Sequence, residues 1–157
     1  DQTKRTRAPM YRKILIATDG SELGDSAVEH GLQLAKALNA NIMVVTVTEA
    51  WSPLDVANEA ELGNFDAVKH YEDAAKRAAV AILKRATDTA QSIEVSAETR
   101  HVMDRPPAEG ILETAKLEDC DLIVMASHGR RGLQKVLLGS QTSEVVTLSD
   151  RPVLVVR

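Results

Sequence analysis

Five short segments of this chain have the length and composition of buried β-strands. They span residues 13–18 (KILIAT), 41–48 (NIMVVTVT), 93–99 (IEVSAET), 121–126 (DLIVMA) and 152–156 (PVLVV). The first is a continuous apolar run, typical of a strand that is buried on both faces. The third alternates between apolar and polar residues, which predicts a position nearer the edge of a sheet. The proline of the fifth suits the first position of a strand or an edge strand.

Between these segments, apolar residues recur every three or four positions, as in helices that pack by one face. This spacing predicts helices over 23–38 and 68–86, a short helix that Pro106-Pro107 opens, and a last helix after Gly139-Ser140. Residues 50–65 are too long for a tight connection and are predicted to form a surface excursion. Strands that alternate with helices favour an α/β domain: a doubly wound, five-stranded parallel sheet in the order 3-2-1-4-5, with helices on both faces.

Composition narrows the class of protein. The chain has 157 residues, which suits one domain, and its 19 basic and 23 acidic residues give a net charge of −4. Because there is no basic excess, we expect neither nucleic acid nor an anionic membrane as a partner. No apolar run approaches the roughly 18 residues of a membrane span, and the single Cys120 suits a reducing cytoplasm. Residues 1–9 are polar and are interpreted as a tag or mobile extension, which leaves 10–157 as the domain.

The first candidate for chemistry is Asp19-Gly20-Ser21, directly after the first predicted strand. A tight turn in which Asp19 or Ser21 caps the next helix would by itself explain all three residues. Taken alone, the triplet therefore favours capping over binding.

The second candidate follows the fourth predicted strand. Residues 125–132 (MASHGRRG) are separated by LQKVLL from Gly139-Ser140-Gln141-Thr142, which open the last helix. Glycines allow backbone N–H groups to approach a ligand closely. A helix N-terminus offers N–H groups without helical partners and the positive end of a dipole, which suits a phosphate. Ser140 adds a hydroxyl, and Arg130 or Arg131 could add positive charge; a capped helix after a flexible loop is the structural alternative.

The predicted topology joins the two candidates. In the order 3-2-1-4-5, strands 1 and 4 are neighbours and the strand order reverses between them. Ligands of such sheets bind beyond the carboxyl ends of the strands at this switch point. We therefore expect Asp19 to face the loop over 126–129, and this convergence favours binding over capping.

These segments carry a family resemblance. Over essentially all of residues 10–157, the chain resembles the universal stress protein family, through KILIATDGSE, DLIVMASHGRRGLQKVLLGS and the closing RPVLVVR. The fold implied is that of the adenine nucleotide alpha hydrolase-like, Rossmann-like group. ATP-binding members carry G-x2-G-x9-G-(S/T), which here reads Ala126-x2-Gly129-x9-Gly139-Ser140. Alanine replaces the first glycine; it adds one methyl at the rim, which the site accommodates if its φ is negative.

The resemblance implies an ATP site, with ADP or AMP as alternatives and Mg²⁺ as a candidate companion of the phosphates. It also implies a regulatory role in the stress response and a homodimer formed around the strand over 152–156. The residues implied to bind the nucleotide are Ala17, Thr18, Asp19, Val47, Met125, Ala126, Gly129, Arg130, Gly139, Ser140, Gln141 and Thr142.

Two other functions stay open. The alanine in the motif is compatible with a dimeric interaction protein of the same fold that binds no nucleotide, and a slow ATPase is the enzymatic alternative. The sequence displays no nucleophile–base pair, and its four histidines lack metal-ligand spacing. Acidic neighbours of Cys120 are expected to raise the pKa of its thiol, which favours packing over reactivity. Efficient catalysis is therefore not predicted.

Overall fold

The computed structural model describes residues 8–129 and 137–157. It contains five strands and five helices within those ranges. The strands are β1 (Lys13–Ala17), β2 (Asn41–Thr48), β3 (Glu98–Met103), β4 (Leu122–Ala126) and β5 (Val153–Val156). The helices are α1 (Glu22–Leu38), α2 (Pro53–Glu61), α3 (Ala67–Ser92), α4 (Pro107–Leu117) and α5 (Ser140–Leu148).

The strands form one parallel sheet in the order β3-β2-β1-β4-β5, which confirms the predicted topology. The central strand β1 pairs with β2 on one side and with β4 on the other, with Leu15 opposite both Met43 and Ile123. Strand order reverses at the β1–β4 boundary, so the crevice where α/β sheets bind ligands lies beyond the ends of these two strands.

The alternation of side chains in β1 separates two hydrophobic cores. Ile14 and Ile16 point into one core, which α1 and α3 cover; Leu15 and Ala17 point into the other, which α4 and α5 cover. Both faces of β1 are buried, because Ile14, Leu15 and Ile16 have no exposed surface. The apolar run of β1 is continuous because helices cover both faces of the strand and neither face contacts solvent.

The prediction for the third strand was wrong in position. β3 runs over Glu98–Met103, whereas residues 93–99 were expected to form it. α3 continues to Ser92, and Glu94 turns the chain with a positive φ of 60°. The alternating residues Val95 and Ala97 pack at the rim of the first core as a connection. The strand itself, ETRHVM, is polar because it lies at the sheet edge, and its sequence therefore lacks the apolar signal.

The surface excursion over 50–65 contains a helix that the sequence did not predict. Ser52 caps α2 by accepting a hydrogen bond from the Asp55 N–H at 3.1 Å, and Pro53 begins the helix. The helix buries none of its residues. Its sequence therefore lacks the periodic apolar face by which packed helices are predicted. Across the described ranges, no helix is long and apolar enough to span a membrane.

Candidate functional site

The turn after β1 is a network of short side-chain hydrogen bonds. Asp19 Oδ1 accepts from the Ser21 N–H at 3.0 Å and from the Ser21 hydroxyl at 2.6 Å. Ser21 is the N-cap of α1, and its Oγ in turn accepts from the Gly24 N–H at 3.1 Å. The serine is thus the helix cap, and one oxygen of Asp19 holds that cap in place.

The other oxygen of Asp19 lies against the loop that follows β4. A Cβ on Gly129 would come within 2.6 Å of Asp19 Oδ2, closer than non-bonded atoms approach. A side chain at this position would displace the Asp19 carboxylate, so glycine allows the two loops to touch as they do. Although Asp19 and Gly129 come from opposite ends of the chain, the strand order brings them into contact at the carboxyl edge of the sheet, as the topology predicts.

The second glycine-bearing turn also meets this loop. The Gly139 N–H donates to the Ser127 carbonyl at 2.8 Å, and a Cβ on Gly139 would lie 3.1 Å from His128 Cα. α5 begins immediately afterwards, with Ser140 exposed as its first residue. The first helical bond runs from the Ser143 N–H to the Gly139 carbonyl at 2.9 Å. The N–H groups of residues 140–142 thus precede the helical ladder, and they form the donor set that suits an anion.

The side chains of Gln141 and Thr142 have structural partners. Gln141 Oε1 accepts from the Ala108 N–H in the first turn of α4 at 2.9 Å. Pro106 is the N-cap of α4 and makes no side-chain cap bond, so the glutamine supplies the cap from a neighbouring helix. Buried Thr142 donates its hydroxyl to the Ala126 carbonyl at 2.8 Å, which ties the start of α5 to the end of β4.

The floor of the crevice is apolar and comes from the ends of three adjacent strands. Ala17, Met125 and Val47 belong to the core that α4 and α5 cover, and they lie at the ends of β1, β4 and β2. Thr18 is buried beside them; its N–H donates to the Val45 carbonyl, and its hydroxyl accepts from the Gly20 N–H at 3.1 Å. An apolar floor below a rim of N–H donors suits a ligand with a flat ring and an anionic tail.

Ala126 ends β4 and is not one of the residues with positive φ. The condition for accommodating alanine in place of the first motif glycine is therefore met. Arg130 and Arg131, the proposed cationic contacts, lie outside the described residues.

Sequence reasoning missed two groups that shape the site. Arg85 of α3 donates from Nη2 to the Gly20 carbonyl at 2.9 Å and also pairs with Asp25, at 3.2 Å. It thereby fixes the turn that carries Asp19. The cap that Gln141 provides to α4 is the second. Neither contact leaves a signal in the sequence, because each joins exposed or polar positions that are distant along the chain.

Cys120 and His128 are two further reactive residues in the described part of the chain. Burial, more than the nearby carboxylates of Glu118 and Asp121, raises the pKa of the Cys120 thiol to about 11. A buried thiol in that state is a poor nucleophile at neutral pH. His128 Nδ1 lies 3.1 Å from the Ser127 hydroxyl, and residues 8–129 and 137–157 hold no group of three potential metal ligands.

Comparison with known proteins agrees with this geometry. Universal stress protein MJ0531 of Methanocaldococcus jannaschii is 33% identical over 148 residues, which cover 94% of this chain and 83% of that protein. The structure of MJ0577, from the same organism, superposes with a TM-score of 0.78 at 27% identity and covers 94% of this chain and 96% of its own. A universal stress protein in complex with cAMP superposes with a TM-score of 0.65 at 26% identity, over 94% and 97% of the two chains.

The match extends to the family as a whole. The model of the universal stress protein family covers residues 10–157, which hold all five strands and both loops of the site. This chain therefore belongs to the universal stress protein family.

Proposed function

We propose that this protein binds an adenine nucleotide, ATP in the first place, between the β1–α1 turn and the β4–α5 connection, and acts as a regulatory module in the stress response. The contact between Asp19 Oδ2 and Gly129 carries the proposal, because it joins the candidate adenosine and phosphate halves in one crevice. The relative whose structure contains cAMP supports the adenine class.

The adenosine half lies over the apolar floor. Ala17, Val47 and Met125 would contact the flat base, as apolar surfaces at strand ends do in α/β sheets. Asp19 is the acceptor for donors of the adenosine, and Thr18 shapes the turn that presents it.

The phosphate half lies at the start of α5. Gly129 and Gly139 allow close approach of the main chain, and exposed Ser140 offers a hydroxyl beside the helix N-terminus. Gln141 and Thr142 would contribute through their N–H groups, since their side chains serve α4 and β4. Ala126 forms the rim between the two halves. Any Mg²⁺ would be held chiefly by the ATP phosphates, because the described residues offer no cluster of carboxylates to hold it.

The nucleotide carried by the purified protein tests the proposal. We expect denaturation to release ATP, ADP or AMP, identified by mass, and calorimetry with and without Mg²⁺ to rank their affinities. Gly129→Ala should weaken ATP binding at least tenfold, because the new methyl displaces Asp19. Ala126→Gly removes a methyl from the same rim, so it should bind ATP at least as well as the wild type. A protein that binds no adenine nucleotide would refute the assignment.

The edge of the sheet supports a second candidate function, self-association. The carbonyls of Pro152 and Val156 accept hydrogen bonds from the N–H groups of Ile123 in β4 and of Ser127 directly after it. By alternation, the main-chain groups of Val153 and Val155 therefore face away from the sheet. β5 is the last strand in the order, and three of its four side chains are only partly buried. Pairing with the same strand of a second copy would cover this edge. A homodimer around β5 is thus proposed, with or without nucleotide.

A further inference from the structure

The connection between β2 and α3, together with the first two residues of α3, forms an acidic, apolar arm, defined as residues 49–68. The arm holds five of the 23 acidic residues of the chain and none of its 19 basic ones, so the remaining 18 acidic and 19 basic residues nearly cancel. The acidic residues are Glu49, Asp55, Glu59, Glu61 and Asp66. The negative charge of the protein is thus concentrated on this one segment.

The same segment exposes large apolar side chains. Leu62 and Phe65 are each 80% exposed at the turn between α2 and α3, and Leu54 on α2 is 69% exposed. α2 buries none of its nine residues against the rest of the chain. Isolated helices of this length are marginal in water, and most helical stability comes from packing an apolar face. Three exposed large side chains on one short segment are therefore best explained by a partner that covers them.

The base of the arm is firmly held. Trp51 stacks on Tyr71 with ring centroids 5.4 Å apart and planes inclined by 14°, and the Tyr71 hydroxyl donates to the Glu49 carbonyl at 2.8 Å. Ser52 caps α2. Leu62 and Phe65 thus belong to a segment whose base is fixed, which reduces the conformational entropy that the segment loses when a partner binds.

We infer that the arm is a docking surface for a basic amphipathic helix of a partner protein. Leucine-like residues of the partner would cover Leu54, Leu62 and Phe65, while its lysines or arginines would face the carboxylates of the arm. Charge complementarity favours a basic helix, because the carboxylates of the arm would repel an anionic membrane surface or an acidic segment. A second copy of this chain would bring five more carboxylates to the same interface. The central part of the arm is the helix α2, which suits packing of helix on helix.

The test uses an 18-residue model peptide with leucines on one helical face and lysines on the other, and a matched peptide with glutamates for lysines. Trp51 is the only tryptophan and lies at the base of the arm, so its fluorescence reports binding. We expect saturable binding of the lysine peptide that weakens with salt, and at least tenfold weaker binding of the glutamate peptide. The double variant Leu62→Ser/Phe65→Ser should lose at least tenfold in affinity for the lysine peptide.

Val80→Ser is the matched control, because Val80 is 67% exposed on α3 outside the arm. It should bind the lysine peptide as the wild type does. Glu59→Lys/Glu61→Lys should weaken binding and flatten its salt dependence. ATP affinity and circular dichroism are measured on every variant, so a loss of folding or of the nucleotide site is told apart from a loss of docking.

Four results obtained without vesicles would overturn the inference. These are equal binding of the two peptides, an unchanged affinity in Leu62→Ser/Phe65→Ser, an equal loss in Val80→Ser, and association of the wild type that the double variant abolishes in the absence of peptide. The last would identify a second copy as the occupant. Binding of the arm to vesicles of phosphatidylcholine, lost in the double variant, would instead identify a membrane and would equally overturn it.

Discussion

The hydrogen bond from the Ala108 N–H to Gln141 Oε1 allows the capping of α4 by Gln141 to be tested separately from the proposed role of this residue in phosphate binding. The bond is 2.9 Å long, and Ala108 has no exposed surface, so water cannot replace the acceptor. Pro106, the N-cap residue of α4, makes no side-chain cap bond. Gln141→Met keeps most of the side-chain volume and removes the acceptor. It therefore leaves a buried N–H without a partner, at a cost of about 1–3 kcal/mol.

This cost converts into a measurable change in melting temperature. For a domain of this size, each kcal/mol lowers the melting temperature by about 2–4 °C, so we expect a decrease of roughly 2–12 °C without ligand. Gln141→Glu is the matched control, because a carboxylate also accepts from the Ala108 N–H and is favourable at a helix N-terminus. Its melting temperature should stay near that of the wild type, whereas its ATP affinity should fall through charge repulsion.

Differential scanning fluorimetry and calorimetry with ATP distinguish the two roles. If the side chain only caps α4, Gln141→Met should bind ATP within about threefold of the wild type. The opposite pattern, an unchanged melting temperature with ATP affinity reduced tenfold or more, would refute the capping role and assign the side chain to the phosphates.

Four further predictions concern groups on either side of the crevice, at the sheet edge and in β3. Asp19→Asn keeps an oxygen for the Ser21 cap, so its melting temperature without ligand should change little. Its ATP affinity, measured by calorimetry, should fall roughly ten- to a hundredfold. An unchanged ATP-induced thermal shift would exclude Asp19 from the site. Ser140→Ala should weaken ATP by a similar factor and leave adenosine unaffected, and an equal loss for both ligands would contradict the phosphate role. Val155→Pro removes an outward N–H without breaking the β4 ladder, so light scattering should show monomers where the wild type forms dimers, and a wild type that is monomeric at high micromolar concentration would refute the dimer. Burial, and to a smaller extent the charge of Lys76, lower the pKa of the His101 imidazole below 6.5. The unfolded chain therefore binds a proton at His101 more readily than the folded chain does, so the free energy of unfolding should fall as the pH drops below about 6.5. In His101→Asn this fall should be less steep.

The strands and helices that could be predicted from sequence are those whose burial produces a pattern of apolar residues within the element itself. β1 and β4 are enclosed on both faces, so each reads as an apolar run, and their adjacency follows from topology. β3 was misplaced because an edge strand with polar residues resembles a connection, while the true connection contains Val95 and Ala97 packed at the core rim. α2 was missed because it buries none of its residues.

In the candidate site, too, some residue roles follow from the sequence and others depend on contacts between distant parts of the chain. Asp19 and Gly129 could be paired from sequence because parallel strands end at one edge of the sheet, and β1 and β4 are neighbours. The roles of Gln141 and Arg85 could not, because each is set by the approach of a different helix. A residue at a helix N-terminus can turn its side chain toward a ligand or toward a neighbouring helix, and only the packing of α5 on α4 decides which. The motif therefore specifies where main-chain donors gather, and tertiary structure specifies which side chains remain available to the ligand.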